Sequence, residues 1–206
     1  MEYKVLKRCL DLLFSVILII FLIPLFLIIG IIIKLNSKGN IFYSQKRIGK
    51  ENKPFACYKF RTMHPKAKYL LKKILLQNPN LRNEFINNRK ITNDPRITNI
   101  GKFLRFTSLD ELPQIFNVLK GDMSFIGPRP IVKSEIKKYG KNFKKAFSVK
   151  PGISGLWQVS GRNKLSYNKR IELDTFYSEN MTLLLDTKIF IKTIFIILFP
   201  FGKGAY

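Results

Sequence analysis

Two adjacent carboxylates, Asp110 and Glu111, stand in a chain that carries 37 basic residues against 13 acidic ones. They fall in the run SLDELPQIFNVLKGDMSFIGPRP, residues 108–130. Acids in so positive a field stay ionised at neutral pH, and ionised carboxylates can hold a divalent metal or attack an electrophilic phosphorus. Ser108 with Glu111 three residues on is equally a capping-box pattern, in which the acids need no chemical role. Arg129 lies between Pro128 and Pro130, whose rings hold the backbone and pre-organise the guanidinium for bidentate contact with an oxyanion. An ordinary turn with an exposed Arg reads the same way.

Further anion-binding candidates are scattered along the chain. Arg162 sits in SGRN, where glycine lets backbone N–H groups approach an anion. Lys59 and Arg61 in YKFRTM share one face of an extended strand, which a solvated strand face explains equally well. Lys7, Arg8 and Asp11 share one helix face by their three- and four-residue spacing, and an acid at the edge of an apolar helix is costly unless paired, so Asp11 is expected to bond Lys7 or Arg8. That group either anchors the helix or shapes a site for a lipid phosphate.

The elements that must position these residues begin with the apolar run 10–33. As a helix it reaches about 36 Å, enough for a hydrocarbon layer of about 30 Å. It is too long for a signal-peptide core, and no small-residue cleavage site follows it. Lys4, Lys7 and Arg8 precede it and Lys34 and Lys38 follow it, so a span would leave positive charge on both sides, which the positive-inside rule disfavours. Pro24 near the middle can kink or break the helix and let it leave by the face it entered, although Pro also occurs in true spans. Runs 41–45 and 55–60 around a turn-rich stretch predict a β-hairpin. Helices are expected over 66–77, 80–88, 98–106 and 133–145, and from Ser166 to Tyr177. Pro113 suits a first helical turn, so the helix after the acids starts late and leaves both in the preceding turn, or else begins at Ser108. Residues 149–163 read as a Gly-punctuated loop and strand region. Residues 183–201 are apolar but carry Asp186, Lys188 and Lys192, with Pro200 near the end, which suits a helix lying in the membrane interface.

At 206 residues there is room for about one domain. The net charge of +24 and pI near 10.2 call for anionic partners. Cys9 and Cys57 make no disulfide framework and fit a reducing compartment. One histidine, His64, and two distant cysteines form no zinc cluster. There is no P-loop and no D-x-D motif, and the spread of basic residues without an RNA-module signature weakens nucleic-acid binding.

Taken in order, KRCLD, QKRIG, YKFRTM, NDPRITNIGKFLR, SLDELPQIFNVLKGDMSFIGPRP, VKPGISGLWQVSGRN and the ending GKGAY resemble the bacterial sugar transferases, the monotopic phosphoglycosyl transferase superfamily. The resemblance implies an α+β, mostly helical protein: a membrane-embedded re-entrant helix within 1–36, broken at Pro24, and a cytoplasmic catalytic domain over 37–206, continuous with the helix, with a small β-hairpin and membrane-interfacial amphipathic helices. It implies a monotopic protein of the bacterial inner membrane that moves a sugar 1-phosphate from a UDP-sugar to polyprenol phosphate, releasing UMP and initiating a surface glycan. By this likeness Asp110 is the nucleophile and forms a phosphosugar intermediate. Glu111, with Asp110, holds Mg2+. Arg129, Arg162, Lys59 and Arg61 bind phosphate, and Lys7, Arg8 and Asp11 form the lipid-phosphate entrance. Many relatives carry Ser-Pro at the helix break where this chain has Ile23-Pro24, so the kink rests on Pro24 and packing alone. The motifs look closer to enzymes that transfer galactose or glucose 1-phosphate than to those handling diacetamido sugars. Two rivals remain: a one-step transferase with no adduct, and a non-catalytic basic membrane adaptor. Inner-membrane lipid is an expected partner, nucleic acid is not, and the sequence leaves a homo-oligomer open.

Overall fold

The computed structural model describes residues 2–88 and 91–199. Pro200, Phe201 and the GKGAY ending lie outside the described residues. Helix α1, Glu2–Asn36, holds Pro24 inside it and is helical throughout, so the expected break is a proline within a continuous helix. It is long and apolar enough to cross a membrane. Most of its surface is exposed, but Asp11, Ser15, Ile29, Gly30 and Ile33 are buried, following the three- and four-residue spacing of one helical face.

That face grips the rest of the protein at both ends. Arg8 donates to the carbonyls of Val118 (2.7 Å) and Leu119 (3.0 Å), and Asp11 accepts from Ser124 Oγ and the Phe125 amide, each at 3.1 Å. Lys7 and Tyr3 both donate to Asp186. Asp11 therefore bonds neither Lys7 nor Arg8, as its spacing had suggested. Asp11 reaches two donors 113 and 114 residues away, while Lys7 and Arg8 are taken by Asp186 and by the Val118 and Leu119 carbonyls. Further along, Ile29 and Ile33 pack with Phe60 and Leu104, and with the half-buried Leu109 and Leu112. Replacing Asp11 by Ala strands the buried Ser124 hydroxyl and the Phe125 amide, so a loss of about 1–3 kcal/mol is expected. Thermal unfolding of the purified protein checks it, and an unchanged midpoint would show the contact to be idle.

Strands β1 (Phe42–Ile48) and β2 (Pro54–Phe60) form the expected antiparallel hairpin, with Phe42 opposite Phe60 and Ile48 opposite Pro54. Helices α2 (Ala67–Gln77) and α3 (Pro79–Asn88) follow. Helix α4, Asn99–Phe106, is capped by Thr98, which accepts from the Gly101 amide at 3.0 Å. Gly101 cannot be replaced there, because a side chain would meet the Thr62 carbonyl at 2.0 Å. Helix α5, Gln114–Lys120, ends at Gly121 in the left-handed region, φ 92°.

A second, two-stranded sheet was not foreseen in the region before residue 149. Strand β3, Ser124–Ile126, pairs in parallel with β4, Gly152–Ser154. The helix expected over 133–145 is two short pieces, α6 (Ile136–Tyr139) and α7 (Phe143–Ala146), because Gly140 takes φ 50° and turns the chain between them. Helices α8 (Leu156–Val159), α9 (Tyr167–Glu179) and α10 (Leu183–Leu198) complete the domain. Helix α10 buries Asp186, Ile189 and Ile196 and exposes Leu184, Phe190, Ile191 and Phe195. The result is the mostly helical α+β fold with a small hairpin that the sequence implied.

Candidate active site

Asp110 and Glu111 occupy a short 3-10 turn, Leu109–Glu111, ahead of Pro113 and α5. Of the two registers open in the sequence, the later one is found. Ser108 makes no capping bond and sits in the left-handed region, φ 60° and ψ 13°, so the capping box is not formed. A non-Gly residue held there carries strain, which the packing of Leu109 and Leu112 against Ile29, Ile33, Phe60 and Leu104 has to outweigh. Helix α1 thus reaches this segment at two places: Arg8 binds the end of α5, and Ile29 and Ile33 belong to the cluster against which Leu109 and Leu112 pack.

Alternation along β2 puts Lys59 opposite the acids, two residues from the buried Cys57. Its Nζ is 2.5 Å from Glu111 Oε1 and 3.7 Å from Asp110 Oδ2. Arg129 Nη1 approaches Glu111 Oε1 at 3.9 Å, and its guanidinium lies 5.9 Å from the centre of the Trp157 ring. Arg162, at φ 52° in the turn Arg162–Lys164, stands close enough for the charges of Glu111 and Arg129 to act on it, although burial is the larger influence and lowers its pKa. The structure therefore brings together Asp110, Glu111, Lys59, Arg129 and Arg162.

The remaining candidates lie elsewhere. Arg61 falls just past the end of β2 and donates to the carbonyls of Ser37 (2.7 Å) and Lys38 (3.0 Å), closing the end of α1 instead of joining Lys59. Lys7, Arg8 and Asp11 are committed to the contacts already described. Arg47, in QKRIG, lines the same cleft as Lys59, Glu111 and Arg129 and is a site residue that the sequence did not single out. It is braced by the Pro130 carbonyl at 3.3 Å and by Gln45 Oε1 at 2.9 Å. The signal available in sequence was only that an Arg two residues from a Gln can share a strand face with it.

The two acids are driven apart in acidity. Burial raises the pKa of Asp110, with Lys59 opposing and Glu111 adding to the rise. Burial also acts to raise Glu111, but Lys59 and Arg129 outweigh it and hold this carboxylate well below its usual range. One carboxylate is thus fixed in its ionised form, and its neighbour is more basic, hence more nucleophilic once ionised. Removing the Lys59 charge, as in Lys59→Met, should raise the Asp110 pKa further. If ionised Asp110 is what reacts, the acid limb of the pH–rate profile then moves to higher pH. A limb that stays in place would separate Lys59 from the reacting carboxylate.

No group of three or more His, Cys, Asp or Glu side chains suited to a metal occurs among the described residues. Two neighbouring carboxylates, one firmly ionised, nevertheless fit Mg2+, which takes one or two carboxylates and completes its shell with phosphate and water.

A buried carboxylate, its ionised partner and the cations around them thus lie together in a domain that carries a long apolar helix. The chain matches the bacterial sugar transferase family model over residues 2–200 and belongs to that family. It is 44% identical over 203 residues to an undecaprenyl-phosphate galactose phosphotransferase of Salmonella typhimurium, covering 98% of this chain and 42% of that one. It is 43% identical over 188 residues to the exopolysaccharide production protein ExoY of Sinorhizobium fredii, covering 91% and 83%. A UDP-glucose:undecaprenyl-phosphate glucose-1-phosphate transferase of Klebsiella pneumoniae is 39% identical over 199 residues, covering 93% and 40%. The chain thus spans less than half the length of two of these relatives and most of the third.

Proposed function

We propose that this protein transfers a hexose 1-phosphate, galactose or glucose, from its UDP-sugar to polyprenol phosphate at the cytoplasmic face of the bacterial inner membrane, initiating a surface glycan. The observation that carries the reading is the divided acid pair: a buried Asp110 of raised pKa beside a Glu111 held ionised by Lys59 and Arg129. The relatives' activities agree with it.

In the first step Asp110 Oδ attacks the β-phosphorus, the bond from that phosphorus to the bridging oxygen breaks, and UMP leaves with the electron pair. The hexose phosphoryl group is then an acyl phosphate on Asp110. In the second, an oxygen of polyprenol phosphate attacks the same phosphorus, releasing the carboxylate and forming the diphosphate-linked lipid. Arg129, Arg162 and Lys59 bind phosphate oxygens and offset the charge that grows on the departing UMP. Glu111, with Asp110 beside it, would hold Mg2+, which supplies charge neutralisation on the diphosphate when bound. Protein-containing membranes given Mg2+, polyprenol phosphate and a panel of UDP-sugars should release UMP from UDP-galactose or UDP-glucose. Absence of release from every donor would leave the basic adaptor, which accounts for the charge but not for a buried reactive carboxylate.

We read α1 as re-entrant. Arg8 and Ile29 would stand about 32 Å apart on a straight helix, roughly a full hydrocarbon thickness of about 30 Å. Both are nevertheless tied to the same domain, Arg8 through Val118 and Leu119 and Ile29 through a cluster with Phe60 and Leu104 against which Leu109 and Leu112 also pack. A span would carry the two ends to opposite faces. Cysteines introduced at Lys4 and Lys34 should both resist an impermeant thiol reagent applied from outside intact cells, and labelling of one alone would establish a span.

A further inference from the structure

Two neutral amide side chains share the cleft with the charged ones. Gln114, in the first turn of α5, is 3% exposed, and its side-chain amide is bonded to no other described residue. Gln158, on α8, donates from Nε2 to the Ile153 carbonyl at 3.1 Å, which fixes the direction of its amide. Its Oε1 is then a buried acceptor with no hydrogen-bond partner. Space is kept for that oxygen, because a side chain on Gly155 would begin 2.7 Å from it. Both glutamines line the wall that also holds Glu111 and Arg129.

A buried acceptor left without a donor costs about 1–3 kcal/mol, a cost that binding of an O–H or N–H group would remove. The phosphates have cations to meet them, so a neutral amide is matched to an uncharged part of the donor. Of the two such parts, the sugar hangs directly from the phosphorus that Asp110 attacks, whereas uracil is separated from it by the ribose and the α-phosphate. Amides beside Glu111 are therefore placed for the sugar.

Resting on the transfer reading above, we propose that Gln158, with Gln114 beside it, binds a hydroxyl of the donor sugar and so contributes to the choice of hexose. A site that hydrogen-bonds a hydroxyl discriminates strongly against an analogue lacking it, since its own buried group is then left unpaired.

The test uses the full chain in detergent or nanodiscs, with wild type and the variants Gln158→Leu and Gln114→Leu. Initial rates are measured with UDP-galactose, UDP-glucose and their monodeoxy analogues, together with inhibition by UMP and the thermal midpoint. Expected is a rise of about 10- to 100-fold in KM for the parent donor in Gln158→Leu. UMP inhibition should be unchanged, and for one deoxy analogue the wild type and the variant should become alike. Parallel weakening of UMP inhibition would move the contact to the nucleotide and overturn the proposal, as would unchanged KM values. If Gln158→Leu loses its thermal midpoint, the analogue series on wild type decides: a uniform response to every deoxy position refutes a hydroxyl contact at this wall. Failure of wild type to turn over any UDP-sugar refutes the transfer reading itself, and the assignment of the amides falls with it.

Discussion

Asp110→Asn should abolish turnover, with a fall on the order of 10⁴-fold or more, while leaving the protein folded and no less stable at neutral pH. The first half follows from chemistry. An amide has no anionic oxygen with which to form the acyl phosphate, and Glu111, tied to Lys59 at 2.5 Å and kept ionised, is a weak nucleophile in comparison. The second half follows from linkage. Burial raises the Asp110 pKa in the folded state, so the unfolded chain releases this proton more readily, and ionised Asp110 opposes folding at pH values above its folded pKa. Asparagine of nearly equal volume removes both the buried charge and its repulsion with Glu111. Its loss of attraction to Lys59 at 3.7 Å is a smaller matter, since Lys59 retains Glu111. Loss of activity with an unchanged or raised thermal midpoint is the expected pair of results. A large drop in the midpoint would identify Asp110 as a structural acid.

Glu111→Gln should act differently. Activity falls by about 10²- to 10³-fold, and the concentration of Mg2+ needed for half-maximal rate rises. Two effects combine. A neutral amide is a poorer ligand for a hard cation, and removing the neighbouring charge lowers the Asp110 pKa, because Glu111 is one of the influences that raise it. A less basic Asp110 is ionised over a wider range but attacks more weakly. The acid limb of the pH–rate profile should therefore shift to lower pH while the plateau drops. The covalent adduct still forms in this variant, slowly, whereas Asp110→Asn forms none. Equal and complete loss of adduct in both would collapse the separate roles assigned to the two acids.

The parts of this site that were legible in sequence are those carried by local spacing. The hairpin followed from two β-branched and aromatic runs around Gly49, Asn52 and Pro54, α4 was legible as a short basic helix over 98–106, and α9 as a helix opened by Ser166. The late start of α5 was visible in Pro113 as one of two registers. What could not be read was anything decided by distant partners. Asp11 sits beside two cations on its own helix, yet donors on β3 take it. Arg61 alternates with Lys59, but the strand ends at Phe60 and the next side chain turns to the end of α1. Strands of three residues, like β3 and β4, are too short to show a period. The division of acidity within the pair was also hidden. A net charge of +24 implies two ionised acids; burial acts on both, and what divides them is the closer approach of Lys59 and Arg129 to Glu111.

Passage of the sugar phosphate through Asp110 separates this mechanism from a one-step transfer. Intact-protein mass spectrometry after mixing with UDP-galactose or UDP-glucose and Mg2+, in the absence of polyprenol phosphate, tests it most directly. Expected are one equivalent of UMP and a protein heavier by one hexose phosphoryl group. The added mass maps to the peptide containing Asp110, disappears on addition of polyprenol phosphate, and does not form in Asp110→Asn. Turnover with both substrates present but no adduct and no UMP from the donor alone would contradict it and establish a one-step transfer.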